Sequence, residues 1–563
     1  MTTETERAGV LADPLEAVAE VVAGFGVNAR PLRQVLALLT EGPQTLDELV
    51  RACAVPRRTV EALLRAAEPD LDQRAGAVWV RPDRVAAYRH RFGYAQLADS
   101  APVDPLGARL AACAALVRQT AGDIAAAPAA REALDHVAAT AETVVRRALW
   151  LDATFDLAGA RLLCVGDHDL TSLAACAVSP GLTVTVVDVD EQLLEFIDTR
   201  AAQRGYDIRC RYADLRFGLP DTAACWADLV FTDPPYTTEG VQLFLGRGLQ
   251  GLAHRNNGRL LMAYGFSPLH PALGMKVQRA VSELDLVVET LLPAFNRYHG
   301  AQAVGSASDL YVCRPTARTW QLLDRRLAST SVRIYTHGAQ ALEGVGSELD
   351  AAVADAVLQA AAGTGERAAV QLAGAGWPEG GGPTRVVALA DLLGAGLAAQ
   401  HQLAVNLVDD PGPWLLRVLL AVNAARLAVL VPNNHPDLGT QAVQRALSEL
   451  VAPKYTLRIR RTTPTSRHAI VEATRPAQGA DRALGRWLLE RAHGKVGNVW
   501  REGLIRRSAE RQAGPLTKNE ARALIAQTVS RSDWLAARLI DLPRHAVRAL
   551  LADADASVAA LGQ

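Results

Sequence analysis

The 563-residue chain predicts an α/β fold: a parallel, doubly wound sheet at its centre, a small helical unit before it, and a degenerate second α/β half with a helical tail after it. Three observations carry this prediction. Between Arg161 and Tyr264, short apolar runs alternate with helical stretches, the rhythm of strand–helix–strand units. Residues 28–92 hold three compact helical patterns that end in a ribbon. A string in the first half also returns in the second, where a full set of strands does not fit around it.

Taken in order, Leu32, Val35, Leu36 and Leu39 form a helical stripe over residues 31–40. Thr45 caps the next helix, with Asp47 and Glu48 in its first turn. After the Val55-Pro56 turn comes a third helix, Arg58–Ala66, and then a short β-ribbon over Ala75–Val80. Three helices and a wing over residues 1–100 make a winged helix-turn-helix. Such a unit reads nucleic acid through its third helix. Here that helix offers only Arg57, Arg58 and Arg65 as cations, so a packing or dimerisation module is the favoured reading. Residues 101–150 are an Ala-rich helical connector.

From Leu162–Val165 the period changes to that of buried strands. A helix follows through Cys176, then a strand at Thr183–Val187 and a helix at Glu191–Arg200. Further strands are expected at Ile208–Tyr212, Ala227–Thr232 and Leu260–Tyr264. The alternation defines a Rossmann-type, methyltransferase-like sheet over residues 151–325, with its ligands at the strand C-termini. Residues 325–383 are weakly marked and end in the loop Glu379-Gly380-Gly381-Gly382-Pro383, a boundary signal. Residues 384–476 again read as strands and helices, which places a degenerate α/β domain over 326–478 and a helical tail over 479–563.

The internal echo supports that placement. His270-Pro271-Ala272-Leu273-Gly274, with Val277-Gln278-Arg279-Ala280 behind it, returns as His435-Pro436-Asp437-Leu438-Gly439 and Val443-Gln444-Arg445-Ala446. Asp410-Pro411-Gly412-Pro413-Trp414 stands where the first copy has Asp233-Pro234-Pro235-Tyr236. A partial duplication is expected, its second copy catalytically silent because the Pro-Pro-aromatic order is lost.

A formal net charge of −1 gives no global field toward nucleic acid or an anionic membrane. Nearly all the cations are Arg, a bias of composition, so individual Arg residues carry little weight at this level. The seven Cys lack any Cys-x-x-Cys pair or metal-site spacing and read as reduced, buried thiols. No metal is expected. Met1–Val10 has no apolar core and no uncharged run is long enough to span a bilayer, so a cytoplasmic location and no membrane partner are expected.

Two constellations carry chemistry. The first strand ends in Gly166-Asp167-His168-Asp169-Leu170-Thr171-Ser172, where a methyltransferase places a Gly-rich turn for the amino-acid end of S-adenosylmethionine. Carboxylates there repel the methionine carboxylate but hold an ammonium, which suits decarboxylated S-adenosylmethionine. The plain structural reading is that Asp167 and Asp169 cap the following helix. Asp188, at the end of the second strand, is placed to accept ribose hydroxyls; Asp190 reads as a helix cap, and Asp214 is placed to meet an adenine amino group or simply to make a turn. The second constellation is Asp233-Pro234-Pro235-Tyr236-Thr237 after the fourth strand. An amine nucleophile must lose a proton and aim its lone pair at carbon. Asp233 and a carbonyl fixed by Pro234 and Pro235 can accept its hydrogens, and Tyr236 packs against substrate or sulfonium.

Together these segments resemble the branched-chain polyamine synthase family, the N4-bis(aminopropyl)spermidine synthases. The similarity runs from the winged helix to about Arg314, in Val165–Ser172, Val187-Asp188-Val189-Asp190-Glu191, Thr232–Thr237, Phe244-Leu245-Gly246-Arg247-Gly248 and Ser308-Asp309-Leu310-Tyr311-Val312. The resemblance implies an aminopropyltransferase that moves an aminopropyl group from decarboxylated S-adenosylmethionine to spermidine and releases methylthioadenosine. It implies that Asp167 and Asp169 bind the polyamine or donor ammonium, Asp188 the ribose and Asp233 the attacking amine. The family turn reads Gly-Asp-Asp-Asp; here the middle acid is His168, a neutral base near pH 7 that attracts a polycation less than a carboxylate does. The segment beyond residue 325 is an addition. A homodimer is expected. The competing readings are an amino methyltransferase acting on a flipped base and a non-catalytic winged-helix sensor of polyamine or nucleoside.

Overall fold

The computed structural model describes residues 13–99, 104–328, 333–336, 348–378, 386–396, 402–476, 484–509 and 514–561. The loop Glu379–Pro383 and the segment Met1–Val10 lie outside the described residues. Among the described residues the strands form three sheets, of three, seven and five strands.

At the N-terminus, helices Pro14–Ala23, Arg30–Glu41, Leu46–Cys53 and Arg57–Ala67 pack around Val35, Leu39, Leu49 and Leu63. Thr45 starts the third of them by a reciprocal cap: its hydroxyl accepts Glu48 N–H, and the Glu48 carboxylate accepts Thr45 N–H at 2.7 Å. Strands β1 (Gln44–Thr45), β2 (Leu71–Arg74) and β3 (Ala77–Val80) make a sheet in the order β1-β3-β2. The ribbon expected over Ala75–Val80 is instead a hairpin that starts at Leu71. Its two-residue turn is Ala75-Gly76, at φ 52° and 82°, the left-handed pair that suits the strand twist.

The seven-stranded sheet comprises β4 (Arg161–Val165), β5 (Thr183–Asp188), β6 (Ile208–Tyr212), β7 (Leu229–Thr232), β8 (Arg259–Tyr264), β9 (Leu286–Arg297) and β10 (Ala307–Pro315). Its order is β6-β5-β4-β7-β8-β10-β9. The first five strands are parallel, but β10 pairs antiparallel with both β8 and β9, so the sheet is mixed and the all-parallel expectation is corrected. The correction has a simple cause: β9 and β10 are joined by a short loop, and a short loop can only return the chain antiparallel. The chain winds outward in both directions from β4, leaving a crevice beyond the ends of β4 and β7. Apolar residues cover both faces, as a parallel sheet requires.

The five-stranded sheet comprises β11 (Gln371–Ala373), β12 (Gln402–Asn406), β13 (Arg426–Pro432), β14 (Thr456–Arg460) and β15 (His468–Thr474), in the order β11-β12-β13-β15-β14. This repeats β4-β7-β8-β10-β9 strand for strand: three parallel strands, then an antiparallel pair whose later member lies inside. Gly374 leaves β11 at φ 84° just as Gly166 leaves β4 at φ 74°. Counterparts of β5 and β6 are absent among the described residues. The weakly marked stretch before β11 contains a helix, Ala351–Ala362, whose small side chains pack against β12 and β13.

The second half and the tail cover the β6 edge of the larger sheet. Arg417, 1% exposed, pairs with Glu191 and stacks 3.7 Å above the Tyr212 ring. Arg531 donates to the Ile208 carbonyl at 2.8 Å, and Arg211 pairs with Asp533 at 3.0 Å. An edge strand presents unpaired backbone groups, and this cover takes one of them, the Ile208 carbonyl. Of the Cys residues, Cys225 is exposed and the others are wholly or partly buried. No helix among the described residues is long and apolar enough to cross a membrane.

Removing one partner of a buried ion pair strands the other. Arg417→Ala is expected to lower stability by about 3 kcal/mol, read as a lower thermal midpoint. Arg367→Ala, from a pair whose members are 49% and 59% exposed, should change it by under about 0.5 kcal/mol.

Candidate active site

Gly166 turns the chain out of β4 in a left-handed conformation, and a Cβ there would sit 3.4 Å from the Phe244 ring. The turn delivers Asp167, His168 and Asp169 to the crevice, where they line a cavity of about 360 Å³ with Asp188, Asp214 and Asp233. Pro234, Pro235 and Tyr236 form another wall of the same cavity. The structure thus brings every residue singled out from the sequence to one place.

Each carboxylate also has a structural partner. Asp167 accepts Ser172 N–H at 3.2 Å, in the first turn of helix Thr171–Val178, so it caps the helix and faces the cavity at once. Asp188 accepts Asp167 N–H at 3.1 Å and Asp190 N–H at 2.8 Å, which ties the ends of β4 and β5 together. Asp190 is the cap expected, accepting from Gln192 and Leu193 N–H. Burial raises Asp167 to about 7 and Asp188 to about 6. Asp214 lines the cavity, but its oxygens are taken: Arg216 grips it in an ion pair at 2.5 Å and Trp414 donates its indole N–H at 2.9 Å. Burial pushes that carboxyl up, but Arg216 outweighs the effect and holds it below the usual range.

The centre of the site is Arg147, which lies on helix Ala141–Thr154 and is 1% exposed. Its guanidinium donates to Asp169 Oδ2 at 2.7 Å, Asp233 Oδ2 at 2.9 Å and Asn296 Oδ1 at 2.7 Å, and its carbon lies 4.9 Å from the Phe231 ring centre. The Tyr298 hydroxyl donates to Asp233 Oδ2 at 2.7 Å and shares a 2.8 Å bond with Ser308. Asp169 Oδ1 is held by Ala139 N–H at 2.8 Å. Asp233 Oδ1 receives no N–H or O–H donor among the described residues, and the side chain keeps 21% exposure. Burial raises the Asp233 carboxyl despite Arg147, and nearby Asp169 adds to the rise. Two carboxylates therefore share one cation, and the trio is net negative when both are ionised. The Tyr236 ring leans on Tyr264, with centres 5.2 Å apart.

The roof comes from two distant segments. Thr336 donates its N–H and hydroxyl to Asp135 at 2.8 and 2.6 Å, while the Thr237 hydroxyl holds the Ile334 carbonyl at 2.6 Å. His136 enters from the same side and stacks on His168, with ring centres 4.3 Å apart and planes 18° from parallel. The N-terminal unit supports the loop that carries Tyr298. Arg57, at the head of helix Arg57–Ala67, donates to Gln302 at 2.5 Å, and Gln302 donates to Asp47 at 2.7 Å. At Gly305 (φ 82°) a Cβ would lie 2.7 Å from the Ala54 backbone.

In the second half the equivalent carboxylate is fully engaged. Asp410 accepts N–H groups from Gly412, Trp414 and Leu415 at 2.7–3.0 Å and bonds His435 at 3.0 Å, with both side chains completely buried. It has no surface to offer a ligand. No group of His, Cys, Asp and Glu among the described residues is arranged to hold a metal ion.

Residues 117–349 match the family model described as the branched-chain polyamine synthase A C-terminal domain. The chain is 33% identical over 169 residues to the N(4)-bis(aminopropyl)spermidine synthase of Thermococcus kodakarensis, a stretch covering 29% of this chain and 47% of that protein. It is 30% identical over 175 residues to the enzyme of the same name from Methanocaldococcus jannaschii, covering 30% and 49%. The chain thus spans about half the length of the curated relatives it matches. A solved neighbour is the branched-chain polyamine synthase of Thermus thermophilus in complex with N4-aminopropylspermidine and 5′-methylthioadenosine. It is 21% identical with a TM-score of 0.37, covering 53% of this chain and 92% of that one.

Sequence reading missed Arg147, Asn296, Tyr298 and His136. Arg147 lies in an Ala-rich helix with no motif around it, and the other three come from loops or strand ends outside the matched strings. Arg147→Met leaves two buried carboxylates sharing no cation and is expected to cost about 3–5 kcal/mol of stability, measured by denaturant unfolding. Tyr298→Phe removes one donor and should cost about 1–3 kcal/mol while the chain still folds.

Proposed function

We propose that the chain is an aminopropyltransferase, moving an aminopropyl group from decarboxylated S-adenosylmethionine to an amine nitrogen of a spermidine-like polyamine with release of methylthioadenosine. The observation that carries this reading is the Asp233 carboxylate, fixed through Oδ2 by Arg147 and Tyr298 in the wall of an acid-lined cavity. Residues 151–325 are the transferase domain under this reading. Residues 1–100 are a winged helix that packs against the Tyr298 loop, 101–150 a connector, 326–478 a silent second half and 479–563 its tail.

The residues fit such a donor. Asp188 lies where ribose hydroxyls donate, Asp167 offers a carboxylate to the aminopropyl ammonium, and Asp214 with Arg216 and Trp414 walls the base. The donor supplies an electrophilic carbon next to a sulfonium. Asp233 accepts a hydrogen of the attacking amine and orients its lone pair, Asp169 keeps that end of the cavity acidic, and Pro234 and Pro235 hold the neighbouring carbonyl still. Tyr236 presents a ring face to the cation.

Calorimetry with decarboxylated and intact S-adenosylmethionine, followed by addition of spermidine and assay for methylthioadenosine, tests the proposal. Preference for the decarboxylated donor with amine-dependent release is expected. Preference for intact S-adenosylmethionine moves the chain to the methyltransferases, and binding of neither leaves a sensor.

A second expectation follows from charge. Burial raises Asp167 and Asp188 above their unfolded value of 3.8, so their neutral forms favour the ligand-free fold at low pH. That contribution is lost as pH rises through about 6 and then about 7. A bound ammonium offsets the loss. Affinity for the donor should therefore rise by about tenfold from pH 5.5 to 8, while affinity for methylthioadenosine, which lacks the ammonium, stays level. Asp167→Asn should flatten the donor curve.

A further inference from the structure

The stacked imidazoles of His136 and His168 are polar rings in a wall of the cavity with no structural task assigned to their nitrogens. Neither ring makes a hydrogen bond to another group among the described residues, and His136 Nδ1 is buried without a partner. Every carboxylate beside them is anchored to backbone or to a cation, so the pair stands out as unengaged. The groups facing the two rings differ. His136 faces His168 and Arg131, whereas His168 faces Asp169 and Asp190, and Glu132 and Asp135 line the cavity on the His136 segment.

We propose that this pair receives the proton that the acceptor amine must lose: His168 takes it, and His136, stacked against it, holds that ring in the cavity wall. The proposal rests on the aminopropyl-transfer reading. An amine of a polyamine enters as an ammonium with no lone pair to give. In the step proposed, its N–H bond breaks and the proton passes to a ring nitrogen of His168. The freed lone pair then forms a C–N bond to the carbon beside the sulfonium while the C–S bond breaks and its electrons go to sulfur. The products are the enlarged ammonium, a neutral thioether and an imidazolium, and the imidazolium returns its proton to water. Charge balances: ammonium, sulfonium and neutral imidazole become ammonium, thioether and imidazolium.

Two physical effects set the pair up. Burial disfavours charge on both rings and holds both below the ordinary imidazole range, and each charged ring would repel its neighbour 4.3 Å away. Asp169 and Asp190 oppose the shift at His168 alone, so the single proton settles there. His136 is a positioning residue, acting through His168. In this chain, His168 in place of a carboxylate exchanges some attraction for the polycation for a base with a value closer to neutrality.

The test uses the full chain with decarboxylated S-adenosylmethionine and spermidine, and methylthioadenosine binding as a check of the fold. His168→Asn is expected to lower kcat by about 100-fold at every pH, with methylthioadenosine affinity kept and activity partly restored by added imidazole. His136→Phe keeps a stacking ring but removes the ring nitrogens. It should keep the acid limb of the pH–rate profile in place, whereas His136→Ala, which removes the stacking face, should lower kcat by about tenfold with methylthioadenosine affinity kept. A loss in His168→Asn smaller than about tenfold, or full activity in His136→Ala, overturns the proton site and leaves aminopropyl transfer standing. Absence of methylthioadenosine release from the wild-type chain overturns the transfer reading and this inference with it.

Discussion

The site depends on one buried cation. Arg147 sits among Asp169, Asp233, Asn296, Thr171 and Tyr298, contributed by β9, β7, the turn after β4 and the loop before β10. Leaving so large a charge unpaired inside a protein would cost several kcal/mol, so the two carboxylates with Asn296 offset the burial of the guanidinium when the helix Ala141–Thr154 docks. The same bonds fix Asp169 and Asp233, two acids of the cavity wall. One guanidinium serves two carboxylates, so the cluster is net negative when both are ionised, and Tyr298 and Arg147 both bind Asp233 through Oδ2 in a residue that lines the cavity. Packing and function here share one set of hydrogen bonds.

The duplicated half shows what happens when such an arrangement is resolved entirely inward. Asp410 occupies the position of Asp233, at the end of a parallel strand before a Pro-containing turn. Its oxygens cap the helix Trp414–Ala421 and meet His435, with no exposed surface left. The aromatic residue of that turn, Trp414, donates instead to Asp214 in the wall of the first half's cavity. Among the described residues the second copy has no counterparts of β5, which ends in Asp188, or of β6. It has become a cover: it closes the β6 edge and fixes the cavity wall, which gives the added length a physical purpose.

The N-terminal helices take a related part. The head of helix Arg57–Ala67, the end that a DNA-reading helix would present to bases, is occupied by Gln302 and by the close approach of Gly305. That contact meets the loop from Tyr298 to Ser306, which has left-handed residues at Ala301, Gly305 and Ser306 and is closed by its own Tyr298–Ser306 backbone bond.

The strands of the central sheet were legible because buried parallel strands are short, apolar and bracketed by turn residues, and their ends were placed within a few residues. The acids of the first turn, Asp188, and the Asp233-Pro234-Pro235-Tyr236 segment were legible because backbone chemistry fixes them locally: strand ends and proline-rigid turns put those residues at the crevice whatever surrounds them. The duplication was visible for the same reason, as a local string repeated. Tertiary structure alone decided the partners. Nothing near Arg147 in the chain distinguishes it from the many other Arg residues, and its meaning comes from acids and a phenol brought together from 22 to 151 positions away. His136 was an ordinary loop residue until the fold laid it on His168. The antiparallel turn of β9 and β10 and the capture of Asp214 by Arg216 and Trp414 were decided in the same way. Sequence determined which residues reach the cavity, because local backbone geometry does that; the fold decided which atoms remain free there, because hydrogen bonds and charges are satisfied only across distances that the chain order does not record.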